Sequence, residues 1–149
     1  MITLITFAPL ASAALILLTP SGNHKVMHLL ALLGSLVSLA GVLSLIHGFD
    51  SSAGLQFVEK SAWIPGLGVN YYVGVDGVSL LVLLLTALVA PVTVLASSKR
   101  TKKAKPYFAL LSVQFMALFG AFTALNFFHW FIFWEAALVP AFFLIKLFG

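Results

Sequence analysis

The chain has 149 residues, 62% of them hydrophobic and only 8% charged, with a net charge of +4 and no cysteine. An ordinary soluble domain is about 25% charged, so this composition excludes a soluble globular protein, and its hydrophobicity excludes disorder. Without cysteine there are no disulfides, thiolate-bound iron–sulfur clusters or cysteine nucleophiles. A bilayer-spanning helix needs about 20 mostly apolar residues, and five stretches qualify in chain order. Residues 1–19 carry no Asp, Glu, Lys or Arg, and neither do residues 26–46. Residues 78–96 are rich in Leu and Val, and residues 107–125 hold Gln114 as their one strongly polar side chain. Residues 127–148 are rich in Phe and contain Glu135 and Lys146. The expected fold is all-α: a polytopic membrane protein in which residues 1–149 form a single bundle of about five transmembrane helices.

Breakers separate these stretches. Pro20, Ser21, Gly22 and Asn23 end the first. The longest gap, residues 47–77, reads as a loop, with Asp50, Gly54, Pro65, Gly66, Gly68 and Gly74. It also holds Trp63, Tyr71 and Tyr72, aromatics that favour the membrane–water interface. Five of the eight basic residues fall between Lys99 and Lys105. By the positive-inside rule that cluster faces the cytoplasm or its organellar equivalent. Alternation then brings Lys25 and Lys146 to the same side. The N-terminus and the long gap fall outside, where Lys60 is the single base. On so apolar a chain the cluster is a topology signal, and no nucleic-acid partner is expected.

Glu135 is the residue that needs explaining. It lies eight residues into its stretch, about 12 Å at 1.5 Å per residue, close to the bilayer midplane. An acidic residue there costs roughly 2.5–3.5 kcal/mol on insertion scales. The thirteen Leu, Ile, Val and Phe residues of the stretch offset this, at about 0.3–0.6 kcal/mol each. Two readings stand. Glu135 hydrogen-bonds a neighbouring helix and holds the bundle, or it is a proton carrier, since a carboxyl in a low-dielectric site is poised to exchange a proton with nearby charge. Pro140 deprives the carbonyl of Ala136 of its helix partner, which either anchors water beside Glu135 or only kinks the helix. Lys146 lies three turns on, about 16 Å away, and is expected to reach for the interface. His129 reads as interfacial. Asp76 reads as a helix N-cap. No phosphate loop, nucleophile elbow or metal-ligand cluster is present, so no metal site is expected.

The residues Tyr72-Val-Gly-Val-Asp76-Gly-Val-Ser-Leu with the following LVLLLTALVAP resemble the approach to the third helix of an antiporter-like subunit. FHWFIFWEAALVPAFFLI, with Trp134, Glu135 and Pro140, resembles its fifth, and Trp63-Ile64-Pro65 fits the long loop of the same family. The match is best to the subunit M (chain 4) branch of proton-pumping NADH:quinone oxidoreductase, respiratory complex I. The photosynthetic relative and the Mrp-type antiporters share the wider pattern. The resemblance implies the first third of a fold of roughly fourteen helices built on inverted repeats. It implies that Glu135 is a carboxylate of the proton path, with Trp134 and Pro140 shaping its surroundings, and that its partner lysine lies on a later helix. That lysine is missing here, and Asn126 stands where relatives often carry an acid. The chain is therefore expected to be a truncated product, one part of a split subunit, or a fragment.

Three functions follow as expectations. The first is a non-redox, membrane-arm subunit of a complex I-type oxidoreductase taking part in redox-driven proton translocation. Quinone, flavin and iron–sulfur clusters would then sit in partner subunits, with a second chain supplying the remaining helices and lipid around them. The second is a structural or assembly subunit of that arm without a proton path of its own. The third is a component of a cation/proton antiporter. The expected location is the bacterial inner membrane, with the thylakoid or mitochondrial inner membrane as equivalents.

Overall fold

A computed structural model describes all residues from Met1 to Gly149. Five helices run α1 (Ile2–Leu18), α2 (His24–His47), α3 (Gly77–Ala96), α4 (Ala104–Thr123) and α5 (Phe127–Phe148). Their positions follow the five apolar stretches of the sequence. Four of them, α2 to α5, are long and apolar enough to cross a membrane. α1 is apolar but has 17 residues, a rise of about 25 Å. The protein is an integral membrane protein.

The fold is mostly helical rather than all-α. Residues 47–77, read from the sequence as a loop, contain a two-stranded antiparallel hairpin, β1 (Gln56–Ile64) and β2 (Val69–Val75). The Val, Tyr, Trp, Phe and Ile side chains of these segments suit a pleated surface. Pro65 and Gly68 turn the chain between them, with Gly68 left-handed at φ 66°. An isolated hairpin is marginal in water, and this one is pinned to the bundle. The Leu125 N–H donates to the Tyr72 carbonyl at 2.9 Å. The Asn126 side-chain amide donates to the Asn70 carbonyl at 2.6 Å.

α4 is the central helix and packs against each of the others. Close approach between helices relies on small residues, as is usual where lipid removes the hydrophobic drive to associate. A Cβ on Gly41 would stand 2.5 Å from Ile5 Cγ1, between α1 and α2. A Cβ on Gly120 would stand 2.0 Å from Phe133 Cδ1, between α4 and α5. α3 starts with a capping box: the Ser79 N–H donates to Asp76 Oδ1, and the Asp76 N–H donates to Ser79 Oγ, both at 2.8 Å. This agrees with the cap expected at Asp76.

Charge divides the bundle by its ends. Asp50, Glu59 and Asp76, three of the four acids, lie at the hairpin end. Seven of the eight bases lie towards the other end, at the start of α2, the α3–α4 turn and the end of α5. There Arg100 sits over the rings of Tyr107, at 4.3 Å, and Phe148, at 5.0 Å.

Candidate functional site

The residues marked by the sequence all lie on α5, which packs mainly on α4 and leaves most of its surface outward. Glu135 is on that outward surface and makes no hydrogen bond or ion pair within the chain. Trp134 beside it is also exposed and stacks on Trp130, with ring centroids 5.4 Å apart. Pro140 is buried, and α5 continues through it to Phe148. Five residues separate Glu135 from Pro140, about 140° around the helix, so the two occupy different faces. Lys146 is exposed at the far end, with its ammonium 5.5 Å from the centre of the Phe142 ring. Within this chain no group comes to Glu135 to balance its charge.

Between α4 and α5 runs a narrow crevice of about 170 Å³, lined by Gln114, Leu118, Phe122, Trp134 and Leu138 among others. The Gln114 Oε1 is buried and has no hydrogen-bond partner. The outward face of α5 and its border with α4 thus hold a carboxyl and an amide oxygen, both unpartnered. In hydrocarbon the exposed carboxyl is costly unless another protein surface meets it, and the buried amide oxygen is costly without a partner in the crevice.

A second polar constellation, which the sequence did not reveal, lies at the hairpin end. A bulge at the start of β1, with Phe57 at φ 55°, precedes Glu59. The Glu59 carboxylate meets the first turn of α1. It accepts from the Met1 ammonium at 2.6 Å, the Ile2 N–H at 3.0 Å, the Thr3 N–H at 3.1 Å and the Thr3 hydroxyl. A carboxylate at a helix N-terminus satisfies free N–H groups and meets the positive end of the dipole. Burial pushes Glu59 up, but the ammonium and the Thr3 donors outweigh it and hold the carboxyl below its ordinary 4.5. The Thr3 hydroxyl also pairs with the Tyr71 hydroxyl at 2.9 Å. Burial raises the Tyr71 phenol above 10.0, and the nearby Glu59 charge adds to this.

Below Tyr71, in the first turn of α5, sits His129, which is 1% exposed and so packed inside the chain, a burial the sequence did not reveal. Its backbone N–H donates to Asn126 Oδ1 at 2.7 Å, so Asn126 caps α5 as well as holding the hairpin. Asn ahead of a Phe-rich run was a readable cap signal. The imidazole stacks on Phe133, with centroids 4.5 Å apart, and meets the edges of Tyr71 at 5.3 Å and Trp63 at 5.9 Å. Neither ring nitrogen has a hydrogen-bond partner.

Comparison with known proteins adds the following. No protein-family model matches the chain. It is 44% identical over 119 residues to "F(420)H(2) dehydrogenase subunit M" of Methanosarcina mazei, an alignment covering 78% of this chain and 24% of the relative. It is 34% identical over 154 residues to "NADH-quinone oxidoreductase subunit M" of Rhodobacter capsulatus, covering 100% of this chain and 30% of that protein. It is 35% identical over 150 residues to "NAD(P)H-quinone oxidoreductase chain 4 1" of a Nostoc species, covering 99% and 28%. Among solved structures it matches a chain of "Respiratory complex I from Thermus thermophilus with bound NADH", with TM-score 0.81 and 29% identity, covering 100% of this chain and 29% of that one. The chain therefore spans roughly a quarter to a third of the length of the relatives it matches.

Proposed function

We propose, from a chain that is a homologue of the subunit M and chain 4 proteins, that it serves in the membrane arm of a complex I-type NADH:quinone oxidoreductase and takes part in redox-driven proton translocation. Glu135 is the protonatable group of that reading, with Trp134 alongside it and Pro140 shaping the helix that carries it. One observation carries the assignment: Glu135 is a carboxyl near the midplane of α5, exposed within this chain and without an internal partner. Facing lipid it would cost roughly 2.5–3.5 kcal/mol. Covered by a further helix that carries a cation, it becomes a switchable proton site. That helix, with the partner base, belongs to another chain or another part of the same subunit.

The rest of the assignment follows from the same source. The five helices form one bundle equivalent to the first third of an antiporter-like subunit. α1 completes a span with its flanking residues or a locally thinner bilayer. The basic end of the bundle lies on the cytoplasmic side and the hairpin end opposite, as the seven-to-one distribution of bases supports. The membrane is the bacterial inner membrane or its organellar equivalent. Quinone, flavin and iron–sulfur clusters reside in partner subunits, and this chain's contribution is the movement of protons.

The test is Glu135→Gln in the native assembly, with proton pumping and NADH:quinone activity measured on the same vesicles. Pumping falls while assembly stays intact. Unchanged pumping contradicts the role of Glu135. Lost assembly with unchanged activity per assembled complex favours a scaffold. Flux that changes when Na⁺ replaces K⁺ favours a cation/proton antiporter.

A further inference from the structure

The hairpin end contains a line of exchangeable groups that leads inward from solvent. Glu59 is partly exposed, at 28%. Its carboxylate bonds the Thr3 hydroxyl, and that hydroxyl bonds the Tyr71 hydroxyl at 2.9 Å. The Tyr71 ring lies 5.3 Å from the imidazole of His129. A cavity of about 430 Å³ joins Thr3, Tyr71 and His129, and its wall also includes Ser61, Trp63 and Phe133. Glu59 stands outside that wall, joined to it through the Thr3 hydroxyl.

A buried polar side chain usually has a hydrogen-bond partner, protein or water, because an unmade bond is costly. His129 has neither ring nitrogen bonded, although it forms part of the wall of a cavity with room for several waters. The titratable groups on the elements around it are few. They are the Met1 ammonium on α1, Glu59 and Lys60 on β1, Tyr71 and Tyr72 on β2, and Glu135 further along α5. Lys60 is turned to the Tyr72 ring, with its ammonium 5.1 Å from the centre. α4 faces the site with Gly120, and its own Lys105 and Tyr107 lie at the other end.

We propose that Glu59, Thr3, Tyr71 and His129 form a proton-exchange line at the hairpin end, completed by water in the cavity, with the His129 imidazole as its inner acceptor. A proton on the imidazole leaves through water to the Tyr71 hydroxyl, which passes its own proton by way of Thr3 to Glu59 and solvent. Uptake runs the reverse way. No other bond is made or broken. Histidine is suited to this because its charge changes near neutral pH. The line is a site for water and protons, distinct from Glu135. It rests on the proton-translocation reading only for its place in net flow, since binding and exchange belong to the chain itself.

The test uses the full chain, isotope-labelled at histidine, in lipid nanodiscs. The His129 ring signals are assigned by their loss in His129→Gln. Expected are ring-to-water exchange and a change of ring protonation between about pH 5 and about pH 8. Tyr71→Phe, which removes the hydroxyl and keeps the ring, should slow that exchange, because the phenyl ring can neither donate nor accept the relayed proton. Its unchanged helical content would show that the fold is kept. An imidazole that keeps one neutral tautomer across that range without contact with water overturns the proposal, as does exchange that Tyr71→Phe leaves untouched. Neither readout involves pumping, so a failure of the Glu135→Gln test leaves this result separately interpretable.

Discussion

The hairpin end and the outward face of α5 treat carboxylates in opposite ways. At the hairpin end Glu59 collects four donors from the first turn of α1, and Asp76 closes a capping box on α3. Both acids are satisfied by groups of this chain. On α5 Glu135 has no partner among the 149 residues. Glu59 and Asp76 bond to the helices beside them. The acid on α5 makes no such bond, and the apolar residues around it offset its insertion cost. The contrast separates acids bonded within this chain from the one acid left unbonded by it.

The contrast can be sharpened from the large effects to the small. Glu135→Leu should favour membrane insertion of an isolated α5 segment by about 3 kcal/mol, read in a glycosylation-mapping insertion assay. It should leave the thermal stability of the chain in detergent unchanged or higher, and a lower stability would mean that Glu135 is structural. Gly120→Val should destabilise the chain by roughly 1–3 kcal/mol, because the added atoms meet the Phe133 ring between α4 and α5. The same change at the exposed Gly77, which has open space around it, gives the control. Glu59→Gln should cost about 1–2 kcal/mol of unfolding stability, since one of the two accepting oxygens becomes an NH2 that cannot accept, and the charge that holds the ammonium is gone. Asp76→Ala should cost about 1 kcal/mol, the usual value of a cap.

A pH titration should separate the two regions as well. Glu59 and Asp76 are held below their ordinary values, Asp76 chiefly by the N–H of Ser79. A carboxyl lowered in the folded state adds stability above its unfolded value and loses it as pH falls through the folded one. Stability should therefore decline below about pH 4, and the decline should be smaller in Glu59→Gln.

Much of this fold was legible because hydropathy and length alone decide where a helix crosses lipid. The expected 26–46 stretch is helical over His24–His47, and 127–148 coincides with α5. The hairpin was missed because Gly and Pro dominate the view of residues 47–77, although Gln56–Ile64 and Val69–Val75 are rich in β-forming residues. Glu59 could not have been found from its neighbours, since its partners lie more than 50 positions away. Glu135 was found at once, because a charge in an apolar run is conspicuous. Its direction was not legible. α5 is apolar all round, so no amphipathic stripe tells which side packs on α4. The place of His129 near the start of α5 is legible, but its burial is not, because the docking of the hairpin over it determines that.

The central claim is that Glu135 lies on a face which another helix covers in the native assembly. It is tested most directly by labelling with a lipid-soluble carbodiimide, in parallel on the isolated chain in nanodiscs and on native membranes, with the modified α5 peptide quantified by mass spectrometry. The account predicts ready modification of Glu135 in the isolated chain and strong protection in the native membrane. Equal modification in both would contradict it, because Glu135 would then face lipid even in the assembly.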